Sequence, residues 1–154
     1  MTDTGQIEIE FEQAIEVYSQ IIEKNPDGAL AMLLVKEQGN NELSLYALTN
    51  VTDEVRPRVY IEQVAAHYSA NGRVVEQMIL QNEAWIHLQN TETGEYGLGE
   101  CASFMLYHRD GTKKLAIIPF ARLGDGTVNW QPRQEVDVDS IGGDVLDAMK
   151  EAMK

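Results

Sequence analysis

A carboxylate, an imidazole and a thiol lie within nineteen residues of one another at Glu83, His87 and Cys101. Such a set could do nucleophilic chemistry, with the imidazole activating the thiol and the carboxylate orienting the ring or acting as a general acid. The local context argues against it. Cys101 is followed by an apolar run, and burial raises a thiol pKa. Glu83 beside Trp85 would have its pKa raised by desolvation against the indole, but one carboxylate is not a mechanism. The other histidines, His67 and His108, complete no H-x-H, H-E-x-x-H or C-x-x-C pattern, so no metal site and no cofactor are expected. The expectation is solvated histidines and a packed cysteine. A small enzyme built on Glu83, His87 and Cys101 remains the alternative reading.

The glycine-rich run Gly94-Glu95-Tyr96-Gly97-Leu98-Gly99 is not a phosphate cradle. A cradle needs glycine N–H groups opening onto a helix, usually with a lysine, whereas this run carries glutamate and leads into a strand. It reads as part of a mobile loop from Asn90 to Glu100, either a plain connector or a presenter of Tyr96 and Leu98 to a partner.

Charge narrows the functional classes. The 154 residues carry a formal charge of −13. Residues 1–54 hold eleven acidic and two basic side chains, residues 55–123 seven of each, and residues 124–154 seven and three. Nucleic acid and anionic lipid both require basic patches, so neither is an expected partner. No apolar run reaches membrane-helix length, and the acidic N-terminus does not look like a secretory signal. With a single cysteine, a cytoplasmic location is expected.

The elements that must position these residues follow from periodicity. Met78, Leu80, Ala84, Ile86 and Leu88 alternate with Gln77, Gln81, Glu83, His87 and Gln89, which predicts a long strand, or two strands meeting at a bulge near Asn82-Glu83, with the odd residues facing out. Phe11, Ala14, Ile15, Tyr18 and Ile22 predict an amphipathic helix from about Ile9 to Lys24, ended by Asn25-Pro26, with acids in its first turns. Ala29–Lys36 and Leu43–Thr49 form a hairpin, the first strand buried on both faces. A second helix begins near Pro57, buries Ile61, Val64, Ala65 and Tyr68, and closes at Asn71-Gly72. Cys101–His108 and Lys113–Ala121 flank Asp110-Gly111, read as a two-residue turn that makes paired positions sum to 221. Pro119 belongs at an edge or a bulge. Beyond Gly124 an acidic tail anchored by Trp130 leads to a short helix through Val145, Leu146, Met149 and Met153.

The fold expected is therefore a single α+β domain with a mainly antiparallel sheet of two hairpins and one long strand, two packed helices and a C-terminal helix. The run Asn82-Glu83-Ala84-Trp85, in this order of elements, resembles small bacterial and phage-type proteins with a similar E-A-W stretch. That resemblance implies topology and no activity.

The function expected is a non-catalytic, acidic protein-interaction module. The last hairpin is apolar on both faces and the terminal helix needs a docking surface, so a homodimer is expected. A basic protein partner is expected at the first helix, where Glu10, Glu12, Glu16 and Glu23 are read as outward acids with little local Lys or Arg to answer them. Glu12, Glu16, Tyr96 and Leu98 are the candidate contacts.

Overall fold

The computed structural model describes residues 4–26, 28–40, 42–48, 57–89, 93–94, 96–135 and 144–154, with backbone alone at positions 4, 85–89, 96, 98, 135 and 144. The elements run α1 (Thr4–Lys24), β1 (Ala31–Glu37), β2 (Leu43–Leu48), α2 (Pro57–Ala70), β3 (Val75–Gln89), β4 (Tyr96–His108), β5 (Lys113–Arg122), β6 (Val128–Trp130), β7 (Gln134–Glu135) and α3 (Asp144–Ala152). The fold is α+β. Its antiparallel sheet has the order β2-β1-β3-β4-β5-β6, and β7 also pairs with β5.

One face of the sheet is covered by α1. Ile7, Phe11, Ala14, Ile15, Tyr18 and Ile22 recur at helical spacing and pack on Ile79, Ala102, Phe104, Leu106, Ala116 and Phe120. Each large side chain so buried contributes roughly 1.5–3 kcal/mol. Tyr18 and Phe104 meet edge to face, with ring centroids 5.8 Å apart. The helix starts five residues earlier than its apolar stripe alone suggested, so its first turn contains no acid. At the far end the Asn25 side-chain amide donates to the Ile21 carbonyl at 2.6 Å and closes the last turn.

The opposite face carries α2 and α3. Leu33, Val35, Leu48, Met78 and Leu80 from the sheet meet Ile61 and Tyr68 of α2 and Ala148 and Met149 of α3. Pro57 is the first helical residue of α2, where no intrahelical N–H is required. The helix ends in a Schellman motif: the Arg73 N–H donates to the Tyr68 carbonyl, the Gly72 N–H to the Ser69 carbonyl, and Gly72 takes φ +69°. Thus α3 docks within its own chain, which removes one of the two reasons for expecting a dimer.

The long strand is one strand. Its register with β4 runs unbroken from Gln77 opposite His108 to Gln89 opposite Tyr96, so there is no bulge at Asn82-Glu83. The irregularity lies instead between Lys36 and Glu37 in the β1–β3 ladder, where Glu76 is the extra residue. Nor is the odd face open to water from Gln77 to Gln81. Gln77 and Gln81 are buried, because α1 covers the side that alternation alone assigned to solvent. The glycine-rich run is largely strand too, since Tyr96–Glu100 pair with Trp85–Gln89 and shorten the expected loop.

The β4–β5 hairpin differs from expectation by one residue. Its pairs sum to 220: Tyr107 faces Lys113, Phe104 faces Ala116 and Cys101 faces Pro119. The loop has three residues, Arg109-Asp110-Gly111. The Gly111 N–H donates to the His108 carbonyl at 2.9 Å, and Gly111 takes φ +98°. This is a turn closed by a glycine bulge, the common three-residue alternative to the two-residue turn. On the face away from α1, Met105 and Tyr107 pack on the second core, while Leu115 and Ile117 stay half-buried.

Pro119 lies inside β5, opposite the gap between β6 and β7. There the outer register shifts, and the Pro119 carbonyl accepts from the Gln131 N–H at 2.8 Å. A residue without a ladder donor sits where no donor is needed. The stretch after Gly124, expected as a tail, thus adds two short strands to the sheet. Trp130 packs on Phe120 with centroids 5.1 Å apart.

Candidate interaction surface

Helix α1 determines where the acidic surface lies. Its period is 3.6 residues, so Glu10 falls between Ile7 and Ala14 on the stripe that faces the sheet. Glu10 is accordingly 4 % exposed, not outward, and accepts from Lys36 Nζ at 2.8 Å. Other acids are answered as well. Glu8 pairs with Lys114, Glu12 with Arg133 Nη1 at 2.5 Å, and Glu23 accepts from Trp130 Nε1 at 2.7 Å. Bonding to Lys114 lowers the Glu8 pKa. The expectation of outward, unanswered acids on α1 therefore fails for Glu10 and Glu12, whereas Glu23 is exposed and meets an indole N–H instead of a base. The bases come from β1, β5 and the connection between β6 and β7, remote in sequence, which local charge counting cannot see. Among the described residues Glu16 meets no base.

Beside α1 the sheet is left open. Helix α1 sits over β3, β4 and β5 and partly over β1, where Met32 and Leu34 are half-buried against it and Lys36 lies beneath it, so the same face of β2 is left open. The strand pairing puts Met32 and Leu34 of β1 on one floor with Ala47, Leu45 and Leu43 of β2. The wall is α1, through Gln13, Val17 and Ile21, and the enclosed hollow measures about 220 Å³. Val17 and Leu45 are each 56 % exposed. Gln13 is also part of a second hollow on the outer side of α1, lined by Glu8, Ile9, Glu12, Ile15 and Glu16. Apolar groove and acidic helix face adjoin at Gln13; among the described residues no Lys or Arg lines either hollow, although Lys114 and Arg133 pair with Glu8 and Glu12 at the edge of the outer one.

The proposed catalytic residues are not brought together as a set. Glu83 stands opposite Ala102, on the α1 side of the sheet; Cys101 stands opposite Ala84 and so points to the other side. Glu83 is already engaged, accepting from Arg122 Nη2 at 2.6 Å, and Arg122 also donates to the Ile22 carbonyl at the end of α1. The Glu83 carboxylate thus ties β3 and β5 to the helix terminus. His87 stands opposite Leu98, and its side chain lies outside the described residues, as do those of Trp85, Tyr96 and Leu98. Cys101 is buried, and desolvation raises its pKa.

Of the remaining histidines His67 is exposed, whereas His108 is buried and accepts from the Asp110 N–H at Nδ1, 3.1 Å away. The expectation of solvated histidines therefore fails for His108, because the three-residue turn folds over it. Among the described residues no three His, Cys, Asp or Glu side chains are grouped to hold a metal ion. Nor is any helix among them long and apolar enough to cross a membrane.

Sequence reasoning missed the groove. Leu43, Leu45, Val17 and Ile21 were each legible as apolar, but their meeting depends on which strands α1 covers.

No family model, curated protein or solved structure matches this chain.

Proposed function

We propose that this chain is a non-catalytic protein-interaction module that receives a basic protein partner at α1. One observation carries the reading: the outer hollow of α1 holds three carboxylates, Glu8 and Glu12 paired with Lys114 and Arg133 and Glu16 unanswered, and adjoins the apolar groove through Gln13. Acidic surface steers encounter with a basic partner, and desolvated apolar surface at its centre supplies affinity. Apart from Gln81, the residues that line both belong to positions 1–54, which carry eleven acids against two bases. Tyr96 and Leu98, at the open end of the β3–β4 ladder, are a second candidate contact. Self-association is a second mode of binding. The lone thiol of Cys101 suits a reducing, cytoplasmic setting.

The test is capture from the host's own lysate on immobilised full chain, at low salt and at about 1 M salt, where the Debye length shrinks to about 3 Å. Basic proteins should be retained at low salt, released at high salt, and lost from a Glu12→Gln/Glu16→Gln variant. Equal retention by parent and variant contradicts the proposal.

A further inference from the structure

We infer that the groove between α1 and the β1–β2 hairpin takes a single amphipathic helix with a leucine-like apolar stripe and basic flanks, supplied by another protein. This rests on the interaction reading above and names the form of its partner.

Three observations select that occupant. The first is width. The floor is two strands wide, about 10 Å at strand spacing, half-covered at β1 and open at β2, and an α-helix with its side chains is about 10 Å across. A helix lying there would extend the layer that α1 begins and cover Met32, Leu34 and Leu45. The second is the side wall. Ile9, Gln13, Val17 and Ile21 follow one another at intervals of four along α1, an uncharged ridge, and Ile9 and Val17 are more than half exposed. Ridges of this spacing are what a second helix packs against. The third is charge. α1, β1 and β2 all belong to the acidic first 54 residues, whose only bases are Lys24 and Lys36; Lys36 is held by the buried Glu10, and the bases that reach α1 from later in the chain, Lys114 and Arg133, are taken up by Glu8 and Glu12. Glu16, which meets no base among the described residues, stands on the outer side of the ridge beside the Glu12–Arg133 pair, where basic flanks of the incoming helix would meet it.

The probe is a fluorescein-labelled peptide of about 16 residues, roughly 24 Å as a helix, built from leucine and lysine in amphipathic order. Its control has the same composition in scrambled order. Binding to the full chain is followed by anisotropy, and helix formation by circular dichroism. Leu45→Asp places a charge in the groove; Leu123→Asp places one on an exposed leucine of the β5–β6 turn, far along the chain. Should Leu45→Asp not fold, Val17→Asp, on the exposed ridge, replaces it.

The expected result is a peptide that becomes helical on binding, an affinity at least about tenfold weaker for the groove variant, and parent-like affinity for Leu123→Asp. Absence of binding, equal binding by the two aspartate variants, or equal binding of the scrambled peptide overturns the inference. So does a parent dimer that the groove variant converts to monomer, because the groove is then filled by a second copy. If Glu12→Gln/Glu16→Gln weakens peptide binding while Leu45→Asp does not, the helix groove is wrong and the basic-partner reading survives. If neither substitution weakens it, both fail.

Discussion

Glu10 of α1 and Lys36 of β1 meet at 2.8 Å beneath the helix, with side-chain exposures of 5 % and 12 %. A buried pair is not by itself a source of net stability, but removing one partner leaves the other charge desolvated and unpaired. Glu10→Gln should therefore destabilise the fold by about 3 kcal/mol. Glu16→Gln, on the exposed side of the same helix, should stay within about 0.5 kcal/mol of the parent. Urea unfolding of the two variants checks this, and equal midpoints would contradict the placement of Glu10.

Gln77 is the converse case. It is 1 % exposed, and neither its Nε2 nor its Oε1 has a hydrogen-bond partner. A buried amide left unsatisfied costs about 1–3 kcal/mol. Gln77→Met keeps the volume and removes the polar atoms, so it should stabilise the protein by about 1 kcal/mol. A lowered urea midpoint would show instead that the amide is bonded, for example through a buried water.

Cys101 lies under cover in β4, with desolvation holding its thiol in the protonated form. Reaction with a disulfide reagent at neutral pH should be at least about tenfold slower in the native chain than in urea, because the thiol must wait for local opening. Equal rates would mean that the β4 strand is exposed.

Acid titration should reveal the Glu37–Arg73 pair. The Arg73 guanidinium bonds the carboxylate at 2.8 Å and lowers its pKa below the usual glutamate range. A group depressed in the folded state contributes stability above its unfolded pKa, and that contribution disappears as pH falls through the folded value. NMR titration should place the Glu37 midpoint below about 4.3, the free-glutamate value, and Arg73→Met should return it upward. An unshifted parent midpoint is the contrary result.

The order of helices and strands was legible in the sequence because periods of two and 3.6 report which face of an element is buried. Phe11, Ala14, Tyr18 and Ile22 identified α1, and Asn71-Gly72 its counterpart's end, since both signals are local. What failed was non-local. Alternation showed Gln77 and Gln81 on one face of β3, but whether that face met water depended on α1 packing over it. Glu10 was recoverable: it lies three residues after Ile7 and four before Ala14, on the buried stripe. Asp110-Gly111 marked a turn without saying whether glycine was its second residue or its third, and that single step moved every β4–β5 pair. The candidate chemistry failed for a related reason. Glu83 and Cys101 are in neighbouring strands, yet the pairing of Cys101 with Ala84 puts them on opposite faces.

Docking of a partner where α1 leaves β2 open can be read from an amide chemical-shift map of the isotope-labelled full chain titrated with the leucine–lysine helix. Shifts should concentrate at Gln13, Val17, Ile21, Met32, Leu34 and Leu45, which line that groove. Shifts confined to Tyr96, Leu98 and their neighbours, with the groove silent, would contradict it.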